Sequence, residues 1–164
     1  MNNNLIWLDI EKVINDETYW LRNNIMAFQP NKNPLNYSDD IFYRLVAILI
    51  VSGLIKASEF NYRNKTDFDF INSDKQLFKK HGADWHNNMI KYLSSHFLKN
   101  NYKIDDSEPK LYYGHADLKI IKNNKSIYFE IDTVSIFKLW INLLMYKNIT
   151  IIVITQNKII KFES

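Results

Sequence analysis

The chain contains no cysteine, which leaves no disulfide framework, no thiolate metal site and no cysteine nucleophile. Glycine is almost as scarce. Gly53, Gly82 and Gly114 are too few and too scattered for a phosphate-cradling loop or a dinucleotide fingerprint. Serine catalysis lacks a G-x-S-x-G elbow, and the four histidines show none of the H-x-x-x-H or H-E-x-x-H spacings of zinc sites. The longest apolar run, Leu45 to Val51, is bracketed by Arg44 and Lys56 and is far too short for a bilayer. No internal repeat is present. The opening MNNNLIWLDIEK has no basic segment ahead of its apolar residues, unlike a secretory signal, so an intracellular, cytoplasmic location is expected.

What is present is a folded protein's composition. Of 164 residues, 46% are hydrophobic and 15% aromatic, enough for one domain with a real core or a compact domain with an N-terminal extension. The net charge of +3 is ordinary, but it is unevenly placed. From Met1 to Leu98 there are 11 basic and 11 acidic residues; from Lys99 onward there are 10 lysines and 7 acids. The excess lies in the half that also holds the most informative carboxylates. A basic surface around an acidic pocket suits a phosphodiester, whose charge must be neutralised before a nucleophile approaches.

Leu5 to Ala27 reads as one or two helices, and the stretch Gln29 to Pro34 breaks the pattern. Ser38 is placed to cap a buried helix from Asp39 to Ser52, with Asp39 and Asp40 in the first turn where the helix dipole favours acids. Gly53 ends or bends it. Leu54 to Gly82 carries a weak signal: an aromatic and basic stretch from Phe60 to Lys65, then strand-like alternation at Phe68-Asp69-Phe70. Asp84 can cap a helix from Trp85 to about Lys99. Three strands, a helix from Thr133 to about Tyr146, an interior strand from Ile149 to Thr155 and a last strand from Lys158 to Phe162 follow. The helix after Thr133 is apolar on nearly every side, so one side must lie on the sheet and the other on the N-terminal helices or a second subunit. The division expected is a mainly helical extension over residues 1–82 and an α/β core over residues 83–164 with a central mixed β-sheet flanked by helices.

The stretch Tyr113 to Asp132, YGHADLKIIKNNKSIYFEID, carries the chemistry. Two strands pair around Lys122-Asn123-Asn124-Lys125. Alternation puts His115, Asp117 and Lys119 on one side of the first strand, and Glu130 and Asp132 on one side of the second. Converging carboxylates repel, so the site needs a shifted proton or a bound cation, and a hard ion such as Mg²⁺ or Mn²⁺ takes such oxygens readily. Asp132 and Thr133 also stand where a helix cap belongs.

The G-x-A-D-L around Asp117, the strand ending apolar-apolar-Glu-x-x-Thr at Glu130, and the helix and apolar strand that follow resemble the PD-(D/E)xK nuclease superfamily, the restriction-endonuclease and Holliday-junction-resolvase fold. The resemblance spans about Ala83 to Thr155. It implies a restriction-endonuclease-like core and Mg²⁺-dependent DNA hydrolysis, with Asp117, Glu130 and the Ile131 carbonyl on the ion. One position departs from the family: Asp132 stands where its lysine belongs. Lys138, in the first two turns of the next helix, is then the substitute lysine, and Asp132 a ligand for a second ion or a residue that orients water. The resemblance also adds Glu108 as a further acid and sets His86 where the superfamily often carries a Glu. His115, Lys119, Lys122 and Lys125 are the residues expected to grip DNA, and a homodimer through the helix over residues 134–145 would present two sites to two strands. Two other functions compete: a nuclease fold whose site has decayed into a DNA- or protein-binding module, and a winged-helix regulator built on Asp39 to Phe70.

Overall fold

A computed structural model describes residues 4–5, 21, 27–29, 33–61, 83–156 and 158–164. Most of the expected Leu5–Ala27 helices, and the strand-like Phe68-Asp69-Phe70, lie outside the described residues, as does the second half of any winged helix. The described elements are β1 (Asn4–Leu5), β2 (Phe28–Gln29), α1 (Asp39–Val51), β3 (Lys56–Asn61), α2 (Ala83–Lys99), β4 (Lys103–Asp105), β5 (Leu118–Lys122), β6 (Lys125–Ile131), β7 (Val134–Ser135), α3 (Ile136–Met145), β8 (Thr150–Ile154) and β9 (Lys158–Glu163).

The chain is an α/β protein built on a mixed sheet of order β1-β3-β9-β8-β6-β5-β4, with β2 and β7 forming a separate parallel pair. Within the large sheet β6 and β8 are parallel, joined by α3 as a crossover, and the other neighbours are antiparallel. The β5–β6 hairpin closes through Asn123 (φ 50°) and Asn124 (φ 62°). Two consecutive left-handed residues are what a two-residue hairpin turn of right-handed twist requires, and asparagine tolerates that region better than other non-glycine residues.

Helices cover both faces, and the strand alternation decides which residue meets which helix. In β8, Ile151 and Val153 join one core with α1 and α3 residues, including Phe42, Val46, Phe137 and Leu139. Ile152 and Ile154 turn to the other, where Trp85, Met89 and Leu93 of α2 meet Leu118, Ile120, Phe129 and Ile131. A strand buried on both faces reads as an unbroken apolar run, as Ile149 to Thr155 does. The apolar α3 finds its second covering in α1: the Phe42 ring stands edge-on to Phe137 at 5.1 Å and lies 5.5 Å from Trp140. That contact occupies the side for which a second subunit was the alternative.

Three boundaries differ from the sequence reading. α2 begins at Ala83, so Asp84 lies inside its first turn. α3 begins at Ile136 and is capped by Ser135, whose hydroxyl accepts from the Lys138 N–H at 2.9 Å, so neither Asp132 nor Thr133 is the cap. The cause is β7, which keeps Val134–Ser135 extended against Phe28–Gln29. Finally, the segment before residue 83 adds β1 and β3 to the sheet beside α1, with β3 paired along its whole length to β9.

Candidate functional site

The carboxyl end of β6, which runs parallel to β8, opens into a cavity of about 440 Å³, lined by Gln29, His86, Asp117, residues 130–135 and Lys138. Such ends are where open α/β sheets commonly hold ligands, because the backbone there leaves the ladder and frees side chains. Here the departure is sharp. Asp132 has φ 77°, a left-handed conformation that turns the chain out of β6, while its N–H still donates to Ile154 O at 2.7 Å.

Asp117 reaches the cavity by a local irregularity. Leu118 is registered with Phe129, yet the Asp117 N–H also donates to Phe129 O at 3.0 Å. Two residues of one strand face one of the other, the arrangement of a β-bulge, which re-aims a side chain. The Asp117 carboxylate then takes a place in the ladder: Oδ2 accepts from the Ile131 N–H at 2.7 Å, and Oδ1 lies 3.0 Å from His86 Nε2. The carboxylate beside it, with Asp132 also near, raises the His86 pKa above its usual value against the opposing effect of burial.

Glu130 is the buried acid of the group, 4% exposed. Burial raises its pKa to about 7, even though Lys138 Nζ, 2.6 Å from Oε1, pulls the other way; nearby Asp117 raises it further. Lys138 also donates to His115 O at 2.5 Å. Its stem lies against Gly114, where φ is 76° and an added Cβ would come within 3.4 Å of Lys138 Cε. Asn142, fully buried in α3, ties this loop down: it accepts from the Tyr113 N–H at 3.0 Å and donates to Tyr113 O and Lys138 O. This buried polar position of α3 is thus satisfied, and it fastens the loop whose His115 carbonyl accepts from Lys138. Gly114→Ala is expected to lower stability by about 1–2 kcal/mol, since alanine tolerates the left-handed region poorly. A shift of the urea midpoint reads this directly.

Asp117, Glu130, Asp132 and Lys138 therefore line one cavity, and His86 joins them from α2. Glu108 does not: it is exposed in the loop before β5 and is not among the lining residues. His115 is exposed and offers its backbone carbonyl to Lys138. Lys119 lies over the Tyr128 ring and Lys122 over the Tyr102 ring. Lys125 begins β6 while Glu130 is near its end, five residues or roughly 17 Å away. Gln29 and Ser135 were not read from the sequence as site residues. They arrive through the β2–β7 pairing, where Gln29 donates to Thr133 Oγ1 at 3.0 Å, and no local pattern announces a two-residue parallel contact across a hundred positions.

Among the described residues no three His, Asp or Glu side chains form a group that could hold a metal ion. Mg²⁺ keeps several waters and takes only one or two protein carboxylates along with substrate phosphate, and Asp117 and Glu130 offer hard oxygens beside an open cavity. No family model, curated protein or solved structure matches this chain.

Proposed function

We propose that the protein is a metal-dependent nuclease that hydrolyses DNA phosphodiesters at the cavity between α2, the β5–β6 pair and α3. The observation that carries this reading is the Glu130–Lys138 pair beside Asp117: a buried acid, a second acid on a bulge, and a lysine that reaches the buried acid from a helix. The order from α2 to β8, a helix, three antiparallel strands, a helix and a strand parallel to the third, agrees with a restriction-endonuclease-like core, and His86 occupies the helix position at which that superfamily often carries an acid.

Asp117 and Glu130 would hold a Mg²⁺ or Mn²⁺ ion, with the Ile131 carbonyl as a third donor. When bound, the ion supplies charge neutralisation at the scissile phosphate and a more acidic water. The chain's own groups do the rest. The Lys138 ammonium brings positive charge to the cavity, so a phosphate entering beside Glu130 meets a cation as well as an acid. His86, held by Asp117, is placed to pass a proton. Asp132, on the cavity wall, is placed to orient water.

A binding module is the second reading. It is favoured by the fact that Asp117 and Glu130 already have protein partners in His86 and Lys138, which lowers the demand for an ion. Incubation of the full chain with plasmid, single-stranded and junction DNA in Mg²⁺ or Mn²⁺ decides between them. Metal-dependent nicking or cleavage that EDTA stops is expected of the nuclease. Intact DNA in every case supports the module.

A further inference from the structure

The basic residues first assigned to DNA divide once the fold is known. Lys122 leans over Tyr102, which packs on the α2 side of the sheet. Lys125 belongs to a second cavity, of about 500 Å³, at the other end of β6 from Glu130. Its walls are Asn124 to Ser126 and Tyr128 from the hairpin, and Tyr146 to Ile149 from the turn between α3 and β8. The charged residues lining it are Lys125 and Lys147, both exposed, with no carboxylate among them. Lys119, registered opposite Asp105 of β4, lies 5.5 Å from the Tyr128 ring centre and is not one of the lining residues. Tyr128 and Tyr146 stand 6.5 Å apart with their rings inclined at 35°; Tyr128 is buried, while Tyr146 is only partly so and offers aromatic surface.

Two exposed lysines in a lining that holds no carboxylate, beside a partly exposed aromatic ring, are the chemistry that takes a single nucleic-acid strand: lysines for phosphates and the ring for a base. We propose that this hairpin-end cavity is a strand-binding site, in which Lys125 and Lys147 hold phosphates and Tyr146 stacks an unpaired base. The site rests on the nucleic-acid reading of the first cavity and adds to it. Lys125 is roughly 17 Å from Glu130 along the strand, too far to touch the phosphate being cut. It therefore grips the substrate at a distance of a few nucleotides and tells the enzyme which strand is unpaired.

The test is anisotropy of a fluorescein-labelled oligothymidylate with the full chain in EDTA, which separates binding from cleavage. Lys125→Ala combined with Lys147→Ala should weaken binding about tenfold and flatten the salt dependence by about 1.4 in log–log slope, two phosphate contacts' worth. Tyr146→Leu should weaken it about fivefold while Tyr146→Phe does not, with thermal unfolding run on each to show an intact fold. Binding that is absent in the parent, or unchanged in the double-lysine variant, overturns the site. If binding weakens as stated but the parent cuts no DNA, the strand site stands and the nuclease reading falls. If the parent cuts and the lysine variant binds normally, the reverse holds.

Discussion

Asp117→Asn is expected to stop metal-dependent cleavage, with a loss of about a thousandfold or more in rate, equivalent to about 4 kcal/mol of transition-state stabilisation. The substitution is chosen because it separates chemistry from folding. Asparagine keeps an oxygen that can accept from the Ile131 N–H, the bond by which Asp117 extends the ladder past its bulge. What it removes is the negative charge, and with it the charge-assisted bond to His86 Nε2 and a hard ligand for a cation. Gel-based cleavage assays beside urea unfolding read both quantities. A variant that folds with the parent's midpoint and does not cut is the expected outcome; one that cuts at the parent's rate removes Asp117 from the mechanism.

Lys138→Met should have the second large effect, and it should depend on pH. Glu130 is 4% exposed, and without Lys138 its ionised form would be buried with no cation at 2.6 Å. Removing one partner of a buried pair typically costs about 3–5 kcal/mol when the other remains charged. Glu130 can escape that cost by taking a proton. Even in the parent its pKa stands at about 7 against an ordinary 4.5, so the folded protein binds a proton there that the unfolded chain releases. Stability contributed at this position is therefore full below about pH 4.5 and is lost as pH rises through about 7; the whole span is worth about 3 kcal/mol. His86, also raised, works in the same direction: its contribution is present below its ordinary value of 6.5 and fades as pH climbs past its folded one. The parent should thus be more stable at pH 5 than at pH 8 on account of these two groups. Lys138→Met should lose most at pH 8 and much less at pH 5. Chemical denaturation at both values checks it, and an equal loss at the two would show that Glu130 does not govern the effect.

Much of this arrangement was legible in the chain because it is local. Ser38 ahead of two acids marks a helix start, and its hydroxyl does accept from the Asp40 N–H. Asn123-Asn124 between alternating runs marks a tight hairpin, and Ile149 to Thr155 marks a strand covered on both faces. Lys138, expected from the family resemblance to reach back from the next helix, does pair with Glu130. What sequence could not carry depends on distant partners. Lys56–Asn61 has no strong alternation of its own and becomes a strand because β9, about a hundred residues on, pairs with it. Ser135, not Asp132, caps α3 because Phe28–Gln29 holds Val134–Ser135 extended. The left-handed Asp132 and the bulge at Asp117 break the simple alternation by which the three acids were first gathered, yet both bring their residues to the same cavity. The lysines of the hairpin were grouped as one DNA-gripping set, whereas the strand geometry puts Lys125 at the opposite end of β6 from Glu130.

The most direct test of the central claim, that Asp117 and Glu130 together take a divalent cation, is calorimetric titration of the full chain with Mn²⁺ at pH 8, where Glu130 is ionised. The account predicts saturable binding that weakens at pH 5.5, as Glu130 takes up its proton, and that disappears in Asp117→Asn. Heat no different from buffer in the parent, or equal binding by parent and variant, would contradict it.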